Sequence, residues 1–213
     1  MNLQIDLVVV GPIQTNCYIV WNQDTKEALV IDPGDDGKKI YDFLWRNDIT
    51  LKAIFFTHGH FDHISAASFL VNQTNAKTYI SWEEEKLVVD ANLNCSAMFG
   101  RPVCYTPDEL IRDGEMLSML GTKIKVIATP GHTQGSVCYY FEDEGYLFSG
   151  DTLFFESYGR TDFPTGNERK LMESLHQLFE LIPQEVKVYP GHGCETKIGY
   201  EKKNNPCSYY MLE

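Results

Sequence analysis

At 213 residues, with 43% hydrophobic and 23% charged side chains, the chain is long enough to bury a sizeable core and ordinary in composition for a globular protein. A net charge of −12 argues against the basic surface that nucleic acid or an anionic membrane requires. The opening MNLQIDLVVVGP lacks a basic start and carries Asp6 inside its apolar run, and no stretch of about 18 apolar residues follows, so neither a secretory signal nor a membrane span is expected.

Segments rich in Val, Ile, Tyr and Phe predict strands at 3–10, 16–21 and 27–32. IDPG at 31–34 is a sound turn by itself, with support of a nearby site as a second use for its aspartate. Asn16 and Cys17 read as structural. Ile40, Phe43 and Leu44 give a helix over 36–47 its apolar face. A buried strand at 51–57 runs into THGHFDH, after which helices are predicted at 63–73 and 81–92. Strands return at 115–120, 122–129, 136–142 and 145–149. The last predicted helix, 166–182, has Thr165 and Glu168 as a capping box, Leu171, Leu175, Leu178, Phe179 and Ile182 on one face, and Pro183 as its stop. KVYPGHG at 187–193 is a short strand entering a loop. No low-complexity linker divides the chain, so residues 1–213 are read as one domain of mixed α/β class with helices covering sheets.

The six cysteines, Cys17, Cys95, Cys104, Cys138, Cys194 and Cys207, contain no CxxC pair and are expected as reduced thiols in a cytoplasm. The six histidines are more informative. His176 lies on the 166–182 helix and reads as a surface residue. His58, His60, His63, His132 and His192 all sit in loops that follow apolar strands. Three imidazoles, with Asp62 among them, fall within six positions; as cations the imidazoles would repel one another, and a divalent ion relieves this by taking the nitrogen lone pairs. His58 and His60, two apart, project to one side of an extended segment, whereas Asp62 and His63 lie past the turn, so the motif itself hints at two ions. A nitrogen- and carboxylate-rich set suits zinc, with iron or manganese as alternatives.

The motif HxHxDH at 58–63, together with TPGHTQGS (His132), FSGDTLF (Asp151) and YPGHG (His192), resembles the metallo-β-lactamase superfamily. That resemblance implies a four-layer αβ/βα sandwich. It implies that His58, His60 and His132 hold one metal, that Asp62, His63 and His192 hold a second, and that Asp151 bridges them. GPIQTNCYIVW, IDPG, GRTDFPTG and PGHGCETKIGYEKKNNP are similar to the compact bacterial members of the glyoxalase II branch. The implied activity is hydrolysis of a small-molecule thioester, such as S-D-lactoylglutathione, by water activated between two divalent ions, with Asp62 also orienting the nucleophile. Full-length members of that branch carry a further helical domain that helps hold glutathione, and Arg160 stands where a glutathione-contacting lysine is expected, so the thiol carrier stays open. Arg160 is the candidate clamp for a substrate carboxylate, or else a partner of Asp162 or Glu156, and Tyr158 is a candidate pocket wall. Persulfide dioxygenases, which share the fold and the Gly-Arg-Thr-Asp-Phe segment and use a single iron at the equivalents of His58, His132 and Asp151, are the rival reading. A non-enzymatic metal-binding protein is a third.

Overall fold

The computed structural model describes residues 2–211. A first sheet holds β1 (Leu3–Val10), β2 (Thr15–Asn22), β3 (Glu27–Ile31), β4 (Thr50–Phe55), β5 (Lys77–Ser81) and β6 (Glu109–Ile111), in chain order. β1 to β3 run antiparallel and β3 to β6 parallel. The second half supplies β7 (Met116–Met119), β8 (Thr122–Ala128), β9 (Val137–Phe141), β10 (Tyr146–Gly150), a small hairpin of β11 (Leu153–Phe154) and β12 (Ser157–Tyr158), then β13 (Lys187–Pro190) and β14 (Thr196–Lys197). Its main sheet has the order β14-β13-β10-β9-β8-β7. The helices are α1 (Gly37–Arg46), α2 (Phe61–Ile64), α3 (Ala67–Thr74), α4 (Glu85–Val88), α5 (Glu168–Leu181) and α6 (Ile198–Asn204).

The inner strands β2, β3, β9 and β10 are buried on both faces, and the period of two sorts their side chains into separate cores. On β2, Tyr18 and Val20 face the opposite sheet, while Cys17, Ile19 and Trp21 face α1 and α3. On β9, Val137, Tyr139 and Phe141 point between the sheets, while Cys138 and Tyr140 point toward α5. Three apolar layers therefore separate helix from sheet, sheet from sheet and sheet from helix, which gives the four-layer αβ/βα order. Each large aliphatic or aromatic side chain buried in these layers contributes about 1.5–3 kcal/mol.

β8, β10 and β13 run in the same direction, so their C-terminal ends share one edge of the second sheet. The C-terminal end of β4 meets that edge across the sandwich, where the Val137 N–H donates to the Thr57 carbonyl at 2.8 Å. Thr15 forms an isolated bridge with His192 at the same end.

Several local expectations are corrected. The cap of α5 is Asn167, whose side chain accepts from the Lys170 amide at 3.0 Å. Thr165 instead adopts a left-handed φ of 70° and its hydroxyl accepts from the Gln134 amide. The helix predicted at 81–92 is broken into a 3-10 turn at Trp82–Glu84 and the short α4, because Glu84 turns inward to bind loop backbone instead of facing water. The helix predicted at 63–73 starts earlier, at Phe61, and is interrupted after Ile64, where the Ala66 amide turns to the Pro33 carbonyl.

Candidate metal centre

Every charged or imidazole group of the cluster comes from the segment that follows a strand. His58 and His60 follow β4, His132 follows β8, Asp151 follows β10 and His192 follows β13. His60 is still extended (φ −63°, ψ 147°), and the chain then enters α2, which swings Asp62 and His63 onto a different side from His58 and His60. Glycines let the loops close. A Cβ on Gly34 would stand 1.4 Å from the Asp62 carbonyl oxygen, and one on Gly191 would stand 2.2 Å from Asp151 Oδ1. Gly34 of IDPG is thus required by packing against the motif.

The structure brings the seven predicted residues together in three overlapping groups: His58, His60 and His132; His58, His63 and Asp151; and Asp62, His63 and His192. Within each group the donor atoms lie within 4.8 Å of one another. His60 Nδ1 is 3.1 Å from His58 Nε2 and 2.9 Å from His132 Nε2. Asp62 Oδ2 is 3.5 Å from His63 Nε2 and 3.3 Å from His192 Nε2. Asp151 reaches both sets. Its Oδ1 is 3.4 Å from His63 Nε2, and its Oδ2 is 3.5 Å from His132 Nε2 and 3.6 Å from His192 Nε2. A tetrahedral ion with nitrogens at about 2.0–2.1 Å spaces its donors ~3.3 Å apart, close to these separations. His60 Nε2, His63 Nε2 and Asp151 Oδ1 are buried without a hydrogen bond, and His63 Nδ1 lies 3.0 Å from Asp32 Oδ2 in an ion-pair contact. Buried polar atoms are normally satisfied, so this donor set fits a divalent cation.

Surrounding groups orient the rings. Asp32 accepts from the Thr57 amide at 2.8 Å and the Thr57 hydroxyl at 2.7 Å. With its proton given to Asp32, Thr57 Oγ1 accepts from His58 Nδ1 at 3.1 Å, which leaves the Nε2 lone pair facing the cluster. His132 Nδ1 donates to the Arg160 carbonyl at 2.7 Å, with the same consequence. Glu84 is buried and accepts from the amides of Gly59 at 2.7 Å and Gly135 at 2.8 Å, tying the loop of His60 to the loop of His132. Burial pushes its carboxyl pKa up, against the pull of those bonds. Thr15 Oγ1 donates to Asp62 Oδ2 at 3.1 Å, and Asn16 donates to the carbonyls of Pro190 and Gly193, holding the His192 loop. The sequence reading missed Thr15, Thr57 and Glu84 and took Asn16 as structural only. Only Thr57, directly before His58, carried a local signal; Thr15, at the start of β2, and Glu84 carried none.

The electrostatics divide the cluster in two. Burial, reinforced by neighbouring imidazoles, holds His58 well below the usual histidine range and His60 at about 3, so both are neutral donors. Burial also opposes charge on His63, but Asp62, Asp151 and Asp32 outweigh it and raise its pKa to about 10. His192 is raised in the same way, with burial overcome by Asp62 and Asp151. Asp62 stays ionised well below the usual carboxylate range, because His63 and His192 outweigh its burial. One side of the cluster thus offers open lone pairs, and on the other His63 holds a proton that a cation would displace.

A cleft of about 390 Å³ opens on the cluster, walled by Phe61, Phe99, Phe154, Tyr158, Arg160 and Phe163 among others. Of the partners weighed for Arg160, the structure gives Asp162, in a bidentate pair with both bonds at 2.7 Å, and the guanidinium also lies 3.9 Å over the Phe163 ring. Glu156 instead accepts from the Tyr200 hydroxyl. Tyr158 is half-buried in the cleft wall. His176 is exposed on α5. All six cysteines are free thiols. Among the described residues no helix is long and apolar enough to cross a membrane.

A four-layer αβ/βα sandwich with a histidine and aspartate cluster at one strand edge defines a class of metal-dependent enzymes. The sequence model of the metallo-beta-lactamase superfamily matches residues 10–192, and the chain belongs to that superfamily. It is 38% identical to the probable metallo-hydrolase YqgX of Bacillus subtilis, with 92% of this chain and 93% of that protein covered. It is 32% identical to the hydroxyacylglutathione hydrolase GloC of Haemophilus influenzae, with 96% and 97% covered. Among crystal structures, the B3 metallo-beta-lactamase BLEG-1 superposes with a TM-score of 0.91 at 38% identity, over 95% of this chain and 98% of that one. TTHA1623 in a di-iron-bound form gives 0.85 at 33% identity, over 94% and 98%. ETHE1 from Myxococcus xanthus gives 0.77 at 32% identity, over 95% and 83%.

Proposed function

We propose that the chain is a dinuclear metal-dependent thioesterase of the glyoxalase II type, acting on a small acyl-thiol such as S-D-lactoylglutathione. The observation that carries this reading is the Asp151 carboxylate, whose two oxygens face His63 on one side and His132 and His192 on the other. In this reading His58, His60 and His132 hold one divalent ion, Asp62, His63 and His192 hold the second, and Asp151 serves both. Such a pair supplies Lewis acidity, which lowers the pKa of water toward neutrality and stabilises charge developing on a carbonyl oxygen. Zinc is the expected metal. The likeness to the di-iron form of TTHA1623 supports two ions and keeps iron in view.

The chain's own residues have defined tasks. Asp62 borders both the cluster and the cleft, so its carboxylate accepts a hydrogen bond from the attacking water and orients it. Phe61, Phe99, Phe154 and Phe163 exclude bulk water around the scissile bond. Among the described residues no carboxylic acid other than Asp62 and Asp151 lines the cleft, and a thiolate, with a parent pKa near 8.5, leaves without a strong proton donor. The likeness to GloC supports the substrate class.

A second reading, an iron-dependent persulfide dioxygenase with one ion at His58, His132 and Asp151, is supported by the likeness to ETHE1 and by the segment Gly159–Phe163. Thiol release from S-D-lactoylglutathione, run beside oxygen uptake on glutathione persulfide and hydrolysis of a β-lactam, separates the readings. Thiol release alone supports the thioesterase, and oxygen uptake with one iron per chain overturns it.

A further inference from the structure

We infer that Arg101 and an apolar hollow beside the metal centre form the subsite for the thiol-carrier arm of the substrate, and that this arm ends in an anion. The inference rests on the thioesterase reading. The hollow, about 290 Å³, is lined by Val10, Pro12, Ile13, Phe61, Phe99 and Val103, with Arg101 at its wall. It shares Ile13, Phe61, Asp62 and Phe99 with the cleft that opens on the cluster, so the two spaces adjoin across the Phe61–Phe99 ring pair, whose centroids are 4.8 Å apart. Asp62 borders both spaces, so a substrate with its carbonyl at Asp62 has the apolar hollow, and Arg101 at its wall, on its other side.

The charges single out Arg101. Arg160, the arginine at the cleft, is already paired by its bidentate contact with Asp162 and its stacking on Phe163. Arg101 is exposed, and among the described residues its guanidinium has no ion pair, hydrogen bond or ring contact. The acidic groups of the hollow are engaged: Asp35 Oδ1 accepts from the Asp36 amide at 2.7 Å and Asp62 Oδ2 from the Thr15 hydroxyl at 3.1 Å. An unspent guanidinium fork beside an apolar wall suits a carboxylate or phosphate at the end of a mostly uncharged chain. Carrier thiols with either terminus share this chemistry.

The test compares lactoyl thioesters of N-acetylcysteamine, which is neutral, of glutathione, which ends in carboxylates, and of coenzyme A, which carries phosphates. Arg101→Gln should raise KM about tenfold for an anionic carrier with little change in kcat, Arg101→Glu should raise it further, and the neutral thioester should be unaffected by either. Loss confined to glutathione assigns the carboxylate, and loss confined to coenzyme A assigns the phosphate. The neutral thioester also reports that each variant is folded. Equal losses on neutral and anionic carriers, or a carrier-selective loss in Arg160→Gln but not in Arg101→Gln, would overturn the inference. Calorimetric binding of S-methylglutathione and S-methyl coenzyme A gives a readout independent of turnover: weakening by Arg101→Gln supports the subsite, and unchanged binding of both overturns it. Failure of the wild type on every thioester would count against the thioesterase reading instead.

Discussion

Asp32 Oδ2 lies 3.0 Å from His63 Nδ1, and both side chains are buried. The same oxygen accepts the Thr57 hydroxyl, which in turn faces His58 Nδ1 at 3.1 Å. One carboxylate at the end of β3 therefore sets a ring in each half of the cluster. Loss of such a supporting partner typically lowers metal affinity by about 10–100-fold. Asp32→Asn is expected to fall in that range, with the weaker-bound ion affected more. Competition against a chromophoric chelator measures it, and unchanged affinity would show that Asp32 only shapes the turn.

Metal uptake should release protons. His63, raised to about 10, holds a proton in the free protein at neutral pH, and an ion can bind it only after that proton leaves; His192 is shifted in the same direction by Asp62 and Asp151. Affinity for the ion at Asp62, His63 and His192 should therefore rise with pH, by up to about tenfold per unit for each proton displaced, and level off near the His63 value. Calorimetry in buffers of different ionisation enthalpy counts the protons. Uptake without proton release would contradict the charge arrangement.

Ligand and surface histidines should separate cleanly. His58→Ala and Asp151→Ala are each expected to lower thiol release by at least about 10²-fold, the scale of losing a group that stabilises the transition state. His176→Ala, on the exposed face of α5, should leave both activity and metal content unchanged. If His176→Ala were as damaging as His58→Ala, the sorting of histidines would fail.

Much of the architecture was legible because apolar strands ending in Gly-containing loops are marked by their own residues. AIFFT-HGHFDH, KVIAT-PGHTQGS, YLF-SGD and KVY-PGHG declare both the strand and the polar group after it. Partners that lie far off in the chain were not legible. Glu84 reads as one of three exposed glutamates in SWEEEK, yet it is buried against Gly59 and Gly135, because only the tertiary approach of those loops offers it two amides. β5 and the three-residue β6 draw their strand character from parallel pairing, β5 with β4 and β6 with β5, rather than from pattern. The α5 cap was misplaced by two residues, since Thr165 is drawn to the Gln134 amide and Asn167 takes its place.

Stability should decline at alkaline pH. Tyr139 is fully buried, its hydroxyl donates to the Phe56 carbonyl at 2.7 Å, and burial raises its pKa well above 10. Tyr18 is raised for the same main reason. In the unfolded chain both ionise near pH 10, so the unfolded state loses protons first and stability falls as pH rises above that value, by about 1.4 kcal/mol per unit for each tyrosine. Tyr139→Phe should cost about 1–2 kcal/mol at neutral pH through the lost hydrogen bond, and should flatten the alkaline decline. Urea titrations across the alkaline range read both effects, and an unchanged slope would contradict the assignment.

The most direct measurement is metal quantification on protein purified without added metal, coupled to thiol release from S-D-lactoylglutathione before and after chelation. Two divalent ions per chain, with turnover that disappears on chelation and returns on adding metal back, is the expected result. One iron per chain with oxygen consumption, or full turnover after exhaustive chelation, would contradict a cluster built around a bridging Asp151.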